Sequence, residues 1–185
     1  MRVIGGTHRG RTLRSVGGLA VRPTSDRLRE TLFNILAPTI QGSVFLDICA
    51  GSGAVGIEAL SRGASEVTFI ERARHACEII ESNLTTLGIT SEVTTINRDA
   101  AVALKRLEQE ARRFDVVFFD PPYESGIYDQ VMEQLGSGHL LSAAALVVVE
   151  HRTKNPPDPE YGRLRICREV KQGESALAFY ETAPV

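Results

Sequence analysis

A chain of 185 residues with 43 % hydrophobic and 24 % charged residues has the length and composition of one soluble domain, long enough to bury a core without disulfide or metal staples. No apolar run approaches the roughly 20 residues of a membrane span, and the N-terminus lacks the apolar stretch of a signal peptide, so a cytoplasmic location is expected. The net charge of −2 conceals an asymmetry: residues 1–29 hold seven arginines against Asp26 alone, while the remainder is acidic. A basic arm on an acidic body fits a polyanionic partner, and arginine rather than lysine favours phosphate.

In chain order, Arg2-Val3-Ile4 and Arg11-Thr12-Leu13 read as two short strands around a turn tipped by His8 and Arg9. A flexible stretch runs through Gly17-Gly18. Pro23-Thr24-Ser25-Asp26 opens a helix whose stripe is Leu28, Leu32, Phe33, Ile35 and Leu36, with Pro38 and Gly42 expected to end it. From there apolar strands alternate with helices. Strands are expected at 44–48, 67–70, 93–96, 116–119 and 146–149, and helices at 54–62, 72–87, 100–111 and 127–135. Nearly all-apolar strands imply a parallel sheet covered on both faces. Residues 164–170 and 176–181 read as an antiparallel hairpin that finishes the sheet, after a proline-rich loop at 155–159. The expected division is a basic arm over 1–24 and an α/β domain over 25–185.

In such a sheet ligands bind beyond the carboxyl ends of the strands. The first strand runs into Cys49-Ala50-Gly51-Ser52-Gly53-Ala54-Val55-Gly56, a G-x-G-x-x-G turn leading into a helix. Asp47 lies four positions before Gly51. A carboxylate there repels a dinucleotide pyrophosphate and attracts the ammonium of a methionine moiety, which favours S-adenosylmethionine over NAD. Glu71 ends the second strand, where an acid accepts ribose hydroxyls. Asp99 follows the third, either as acceptor for an adenine amine or as a helix N-cap. Ala50, Gly51, Ser52, Gly53, Arg72 and Ala100 complete the expected cofactor set.

The fourth strand ends in Asp120-Pro121-Pro122-Tyr123, the most specific motif in the chain. Two prolines fix the backbone and remove two N–H donors. The Asp120 carboxylate and the Pro121 carbonyl are then rigid acceptors suited to an exocyclic base amine. They orient its lone pair toward a sulfonium methyl. Tyr123 offers a face on which the extruded base stacks.

These motifs resemble those of class I methyltransferases of the amino-group type, and more narrowly the RsmD family of 16S rRNA guanine-N2 methyltransferases. The likeness rests on the glycine turn, Glu71, Asp120-Pro121-Pro122-Tyr123, Met1 to Gly6 with Arg9-Gly10-Arg11, Arg22-Pro23-Thr24-Ser25-Asp26-Arg27, and Glu58 to Ala64. The resemblance implies a Rossmann-like fold whose seven-stranded sheet has an antiparallel last strand. It also implies 16S rRNA within the small ribosomal subunit as substrate, and the block from Arg22 to Arg29 lying over the cofactor pocket and facing RNA. Arg9, Arg11, Arg14 and Arg22 become the RNA-binding set, and a monomer is expected. Cys49 stands where a bulkier residue is usual. Two alternatives remain: an adenine-N6 methyltransferase acting on DNA or RNA, for which a separate recognition domain would be expected, and a non-enzymatic RNA-binding module. The four histidines lack metal-ligand spacing, and His151 is expected at the surface. The three cysteines read as small apolar filler.

Overall fold

The computed structural model describes residues 1–17, 25–122 and 126–183. The elements are α1 (Asp26–Ile40), β1 (Val44–Ile48), α2 (Ala54–Ser61), β2 (Glu66–Ile70), α3 (Arg74–Leu87), β3 (Val93–Ile96), α4 (Ala100–Gln109), β4 (Phe114–Phe119), α5 (Tyr128–Ser137), β5 (Leu141–Arg152), β6 (Glu160–Tyr161), β7 (Leu164–Gln172) and β8 (Ser175–Thr182). They form one eight-stranded sheet of order β3-β2-β1-β4-β5-β8-β7-β6. β1 to β5 are mutually parallel, and β8 runs antiparallel to both β5 and β7.

Strand alternation divides the core into two layers. Phe45, Val67, Phe69, Val116, Phe118 and Val148 point toward α1, α2 and α3. Leu46, Ile48, Val117, Phe119, Val147 and Val149 point toward α4 and α5. Because each central strand buries both faces, its sequence carries no polar alternation and stands out as an apolar run between turn residues.

The sheet has eight strands rather than the expected seven. The extra strand is β6, two residues long, which pairs antiparallel with β7; a segment that short carries no period to read. Pro38 lies inside α1 rather than ending it. Its ring forfeits the bond to the carbonyl four residues back, but only two helical residues follow, so little of the ladder is lost. The expected N-terminal strands contract to a single bridge, Arg2 to Thr12, flanked by Val3 N–H to the Arg11 carbonyl at 3.0 Å and Leu13 N–H to the Met1 carbonyl at 2.9 Å.

That hairpin is anchored to the body. Val3 and Leu13 are buried in the α1–α3 layer. Ile4 and Gly5 donate their N–H groups to the Glu58 carboxylate of α2 at 2.8 and 2.7 Å. Thr7 N–H meets the Ser61 carbonyl at 2.8 Å. Gly6, at φ 75°, passes so close that a Cβ there would lie 1.7 Å from that carbonyl oxygen. Only glycine fits both the left-handed backbone and the approach. Arg29 is 0 % exposed beneath the hairpin: its Nη2 donates to the Arg2 carbonyl at 2.6 Å and to Asp26 at 3.0 Å, and its Nε lies 3.8 Å from Glu58. Burial pushes the guanidinium below its ordinary pKa, against the pull of Glu58 and Asp26. Arg29 therefore fastens the hairpin and does not face RNA, which corrects the expectation for that end of the block. Arg22 lies outside the described residues.

Candidate active site

The carboxyl edge of the parallel strands gathers, from the outer strand inward, Asp99 after β3, Glu71 after β2, the glycine turn after β1 and Asp120 after β4. The turn is held to β2 by Cys49 and Ala50 N–H groups, both on the Ile70 carbonyl at 2.9 and 3.1 Å. Cys49 and Gly53 both adopt positive φ, 63° and 75°. Gly53 reverses the chain into α2 as its N-cap residue. The left-handed backbone at Cys49 costs energy that a glycine would avoid, and such outliers concentrate at binding sites. The shift of the thiol points to the same crowding: burial first, then Glu71, Asp120 and Asp47, push Cys49 well above the ordinary thiol range.

Asp47 lies beneath the turn, 1 % exposed, and Oδ2 accepts the Gly56 N–H at 2.9 Å. It thus satisfies an amide of the first turn of α2, a capping role supplied from a neighbouring strand. Desolvation pushes its pKa up to about 7; the Gly56 bond opposes this and Glu71 adds to it. Glu71 is half-buried, with Oε2 accepting from Gly51 N–H at 2.9 Å and Oε1 from Ala73 N–H at 2.8 Å. One carboxylate therefore fixes the glycine turn and the entry to α3. Asp99 is exposed and caps α4 through Ala101 N–H at 3.0 Å. The capping alternative is realised in the structure, with lone pairs of the carboxylate to spare. Arg72 is exposed, Ala50 and Gly51 are half-buried, and Ser52, Gly53 and Ala100 are buried.

The donor and acceptor chemistry fits S-adenosylmethionine. Its ammonium, ribose diol and adenine amine all donate; this edge presents Glu71 and Asp99 as acceptors, with the buried Asp47 carboxyl directly beneath the turn.

Asp120 is half-buried and continues the β4 ladder, its N–H donating to the Ile48 carbonyl at 3.3 Å. Pro121 is buried and Pro122 exposed. Tyr123 lies outside the described residues. Arg9 is exposed. Arg14 donates to the Ser82 hydroxyl of α3 at 3.2 Å, and Arg11 to the Thr86 carbonyl in the last turn of that helix at 3.0 Å. Cations are favoured at that end of a helix.

Several residues around the site fall outside the set expected from the sequence. Asn97 donates to the carbonyls of Glu71 and Arg72 at 3.0 and 2.9 Å, tying the β3 loop to the β2 loop. Asn83 of α3 is buried and joins Arg14 to the glycine turn: its Oδ1 accepts Arg14 N–H at 2.8 Å, and its Nδ2 donates to the Arg14 and Ser52 carbonyls, both at 3.0 Å. Glu150 is a buried acid one residue past the expected end of the fifth strand. The signal that could have found it is the alternation Val148-x-Glu150 on a strand that runs to Arg152. His151, expected at the surface, is 0 % exposed. Its Nδ1 lies 2.8 Å from the Arg152 carbonyl and its Nε2 3.6 Å from Glu169. The added length of β5 carries it into the ladder with β8, opposite Ala176. Cys167, expected as filler, is exposed on β7; Cys77 is buried as expected. Among the described residues no group of histidines, cysteines and acids could hold a metal, and no helix is long and apolar enough to cross a membrane.

An open, mostly parallel sheet with a glycine turn after β1 and an Asp-Pro-Pro corner after β4 defines the class I methyltransferase fold. Comparisons with known proteins agree. A family model described as Conserved hypothetical protein 95 matches residues 1–181. The chain is 37 % identical to ribosomal RNA small subunit methyltransferase D of Escherichia coli K12, over 98 % of this chain and 89 % of that protein. It is 39 % identical to the protein of the same name from Haemophilus influenzae, over 84 % and 81 %. The solved structure of the Escherichia coli protein yhhF superposes with a TM-score of 0.86 at 36 % identity, covering 99 % of this chain and 98 % of that one. The chain belongs to the RsmD family of methyltransferases.

Proposed function

We propose that this protein transfers the methyl group of S-adenosylmethionine to the exocyclic N2 amine of a guanine in 16S rRNA of the small ribosomal subunit. The observation that carries the reading is the position of Asp120. It ends β4 directly beside the glycine turn after β1, so an acceptor for an amine stands next to the expected cofactor cradle. The relatives' name supplies the ribosomal substrate.

The cofactor, when bound, supplies an electrophilic methyl group on a sulfonium. Everything else falls to the chain. Asp47, from beneath, and Glu71 shape the turn and would supply negative charge toward the ammonium and acceptors for the ribose; Asp99, Ala100 and Arg72 would hold the adenine and ribose end. Asp120 and the Pro121 carbonyl accept the two hydrogens of the guanine amine, whose lone pair is otherwise delocalised into the ring. Held this way, the amine's lone pair would be aimed at the methyl group that the cofactor supplies, and Asp120 would accept the proton the amine releases. Positive charge develops on nitrogen during the transfer, and a preorganised carboxylate stabilises it. Tyr123 stacks the extruded base, and Arg9, Arg11, Arg14 and Arg22 hold neighbouring phosphates.

The test is incubation with labelled cofactor and three acceptors: unmethylated small subunits, naked 16S rRNA and duplex DNA. Label is expected as N2-methylguanosine in the subunit. Asp120→Ala is expected to lower turnover by about 10²- to 10⁴-fold while S-adenosylhomocysteine still binds. Label as N6-methyladenine in DNA, or an active Asp120→Ala, overturns the reading.

A further inference from the structure

At the carboxyl end of the β4–β5 ladder Phe119 pairs with Val149, and one row below Phe118 pairs with Val148. Phe118 and Val148 both point into the α1–α3 layer. Side chains on a strand return to the same face every second residue. Asp120 and Glu150, each two residues further on, therefore occupy one face in the next row. Asp120 stays extended by continuing the β1–β4 ladder through its N–H to the Ile48 carbonyl, and Glu150 remains a paired residue of β5, opposite Leu177 of β8. Neighbouring strands lie about 5 Å apart, so the register, carried one row further, sets Asp120 and Glu150 next to each other at the carboxyl edge of the sheet. Glu150 is 4 % exposed. Its backbone is held twice, by the β8 ladder and by the Tyr128 hydroxyl donating to its carbonyl at 3.1 Å.

We propose that Glu150 is a specificity-determining residue that reads the Watson–Crick edge of the target base beside Asp120 and selects guanine over adenine. This deepens the function proposed above and rests on it. On that edge guanine presents two neighbouring donors, the ring N1–H and the N2 amine. Adenine presents its amine beside a bare N1 lone pair. Two adjacent carboxylates complement the first pattern, with Asp120 accepting from the amine and Glu150 from N1–H. Adenine in the same pose sets a lone pair against a buried carboxylate, which leaves both unsatisfied. Asp120 and Glu150 each already have partners within the protein. A carboxylate has about four lone-pair sites, so an engaged oxygen does not exhaust it. The second carboxylate also lies near the nitrogen that becomes positive during transfer, which links base selection to rate.

The experiment compares wild type, Glu150→Gln and Glu150→Asp on unmethylated small subunits bearing the target guanine. The same three proteins are assayed on subunits in which that position, mapped with the wild type, is changed to adenine. Glu150→Gln turns an obligate acceptor into a group that can donate to adenine N1. It is expected to lose about 10- to 100-fold in kcat/KM on guanine and to narrow the guanine-to-adenine ratio by a similar factor. Its affinity for S-adenosylhomocysteine and its Tm should stay near wild type. Glu150→Asp keeps the charge on a shorter stem and should keep the guanine preference at reduced kcat. An unchanged ratio in Glu150→Gln overturns the proposal. So does a loss of Tm and cofactor affinity in step with activity in both variants, because that pattern belongs to a structural residue. Failure of the wild type to form N2-methylguanosine instead overturns the parent reading, which keeps the two outcomes apart.

Discussion

Replacing Asp47 with Asn is expected to stabilise the ligand-free protein in alkaline solution and to weaken its hold on the cofactor. The carboxyl is 1 % exposed, and desolvation pushes its pKa up to about 7 from an ordinary value of 3.8. The folded protein therefore holds this proton more tightly than the unfolded chain does. The sign follows: the neutral carboxyl costs nothing below about 4, stability falls as pH rises from there, and the full cost is present above about 7. A group displaced that far carries about 4 kcal/mol at pH 8.5 and about 1–2 kcal/mol at pH 5. Asn retains an acceptor oxygen for Gly56 N–H and never ionises. Urea denaturation of wild type and Asp47→Asn at both pH values should show the variant ahead by roughly these amounts. Adding S-adenosylhomocysteine should stabilise the wild type more than the variant, because the variant offers no charge to the ammonium. A variant advantage equal at both pH values, or a variant less stable at pH 8.5, refutes the assignment of this cost to Asp47 ionisation.

Two further outcomes are expected from the hairpin. Glu58→Ala removes the carboxylate that accepts from Ile4, Gly5 and Arg62 and leaves Arg29 buried with less compensation. It should cost about 3–5 kcal/mol, and limited proteolysis should cut first within residues 1–17; a fully protected hairpin contradicts the anchoring role. Reversing Arg9, Arg11 and Arg14 to Glu should weaken binding to small subunits and flatten its salt dependence by about 0.7–0.9 in log–log slope for each phosphate that is no longer neutralised. Unchanged affinity and slope in a folded variant make the arginines structural, as the hydrogen bonds of Arg11 and Arg14 to α3 would then suffice to explain them.

Much of the architecture is legible in the sequence because its causes are local. β1 and β3 match the expected spans to the residue, since a strand buried on both faces reads as an apolar run between turn residues. Gly88 ends α3 in the left-handed conformation expected of a helix-closing glycine. Acids after β2, β3 and β4 stand out because ligands gather at strand ends in this topology.

What the sequence alone determined, then, is the order of elements, the parallel sheet, and the identity of the residues at its carboxyl edge, all consequences of periodicity and turn chemistry within a few residues. The tertiary structure decided which of those residues meet. Arg29 reads as one more basic side chain of the arm until the hairpin folds over it and Glu58 approaches from α2. Asp47 reads as an open ligand until the Gly56 amide claims one of its oxygens in a dry interior. Glu150 and His151 lie beyond the expected strand end, and only the register with β4 and β8 sets one beside Asp120 and buries the other. The physical reason is the same each time: burial and pairing depend on partners tens of residues away, and no local pattern encodes the distance between them.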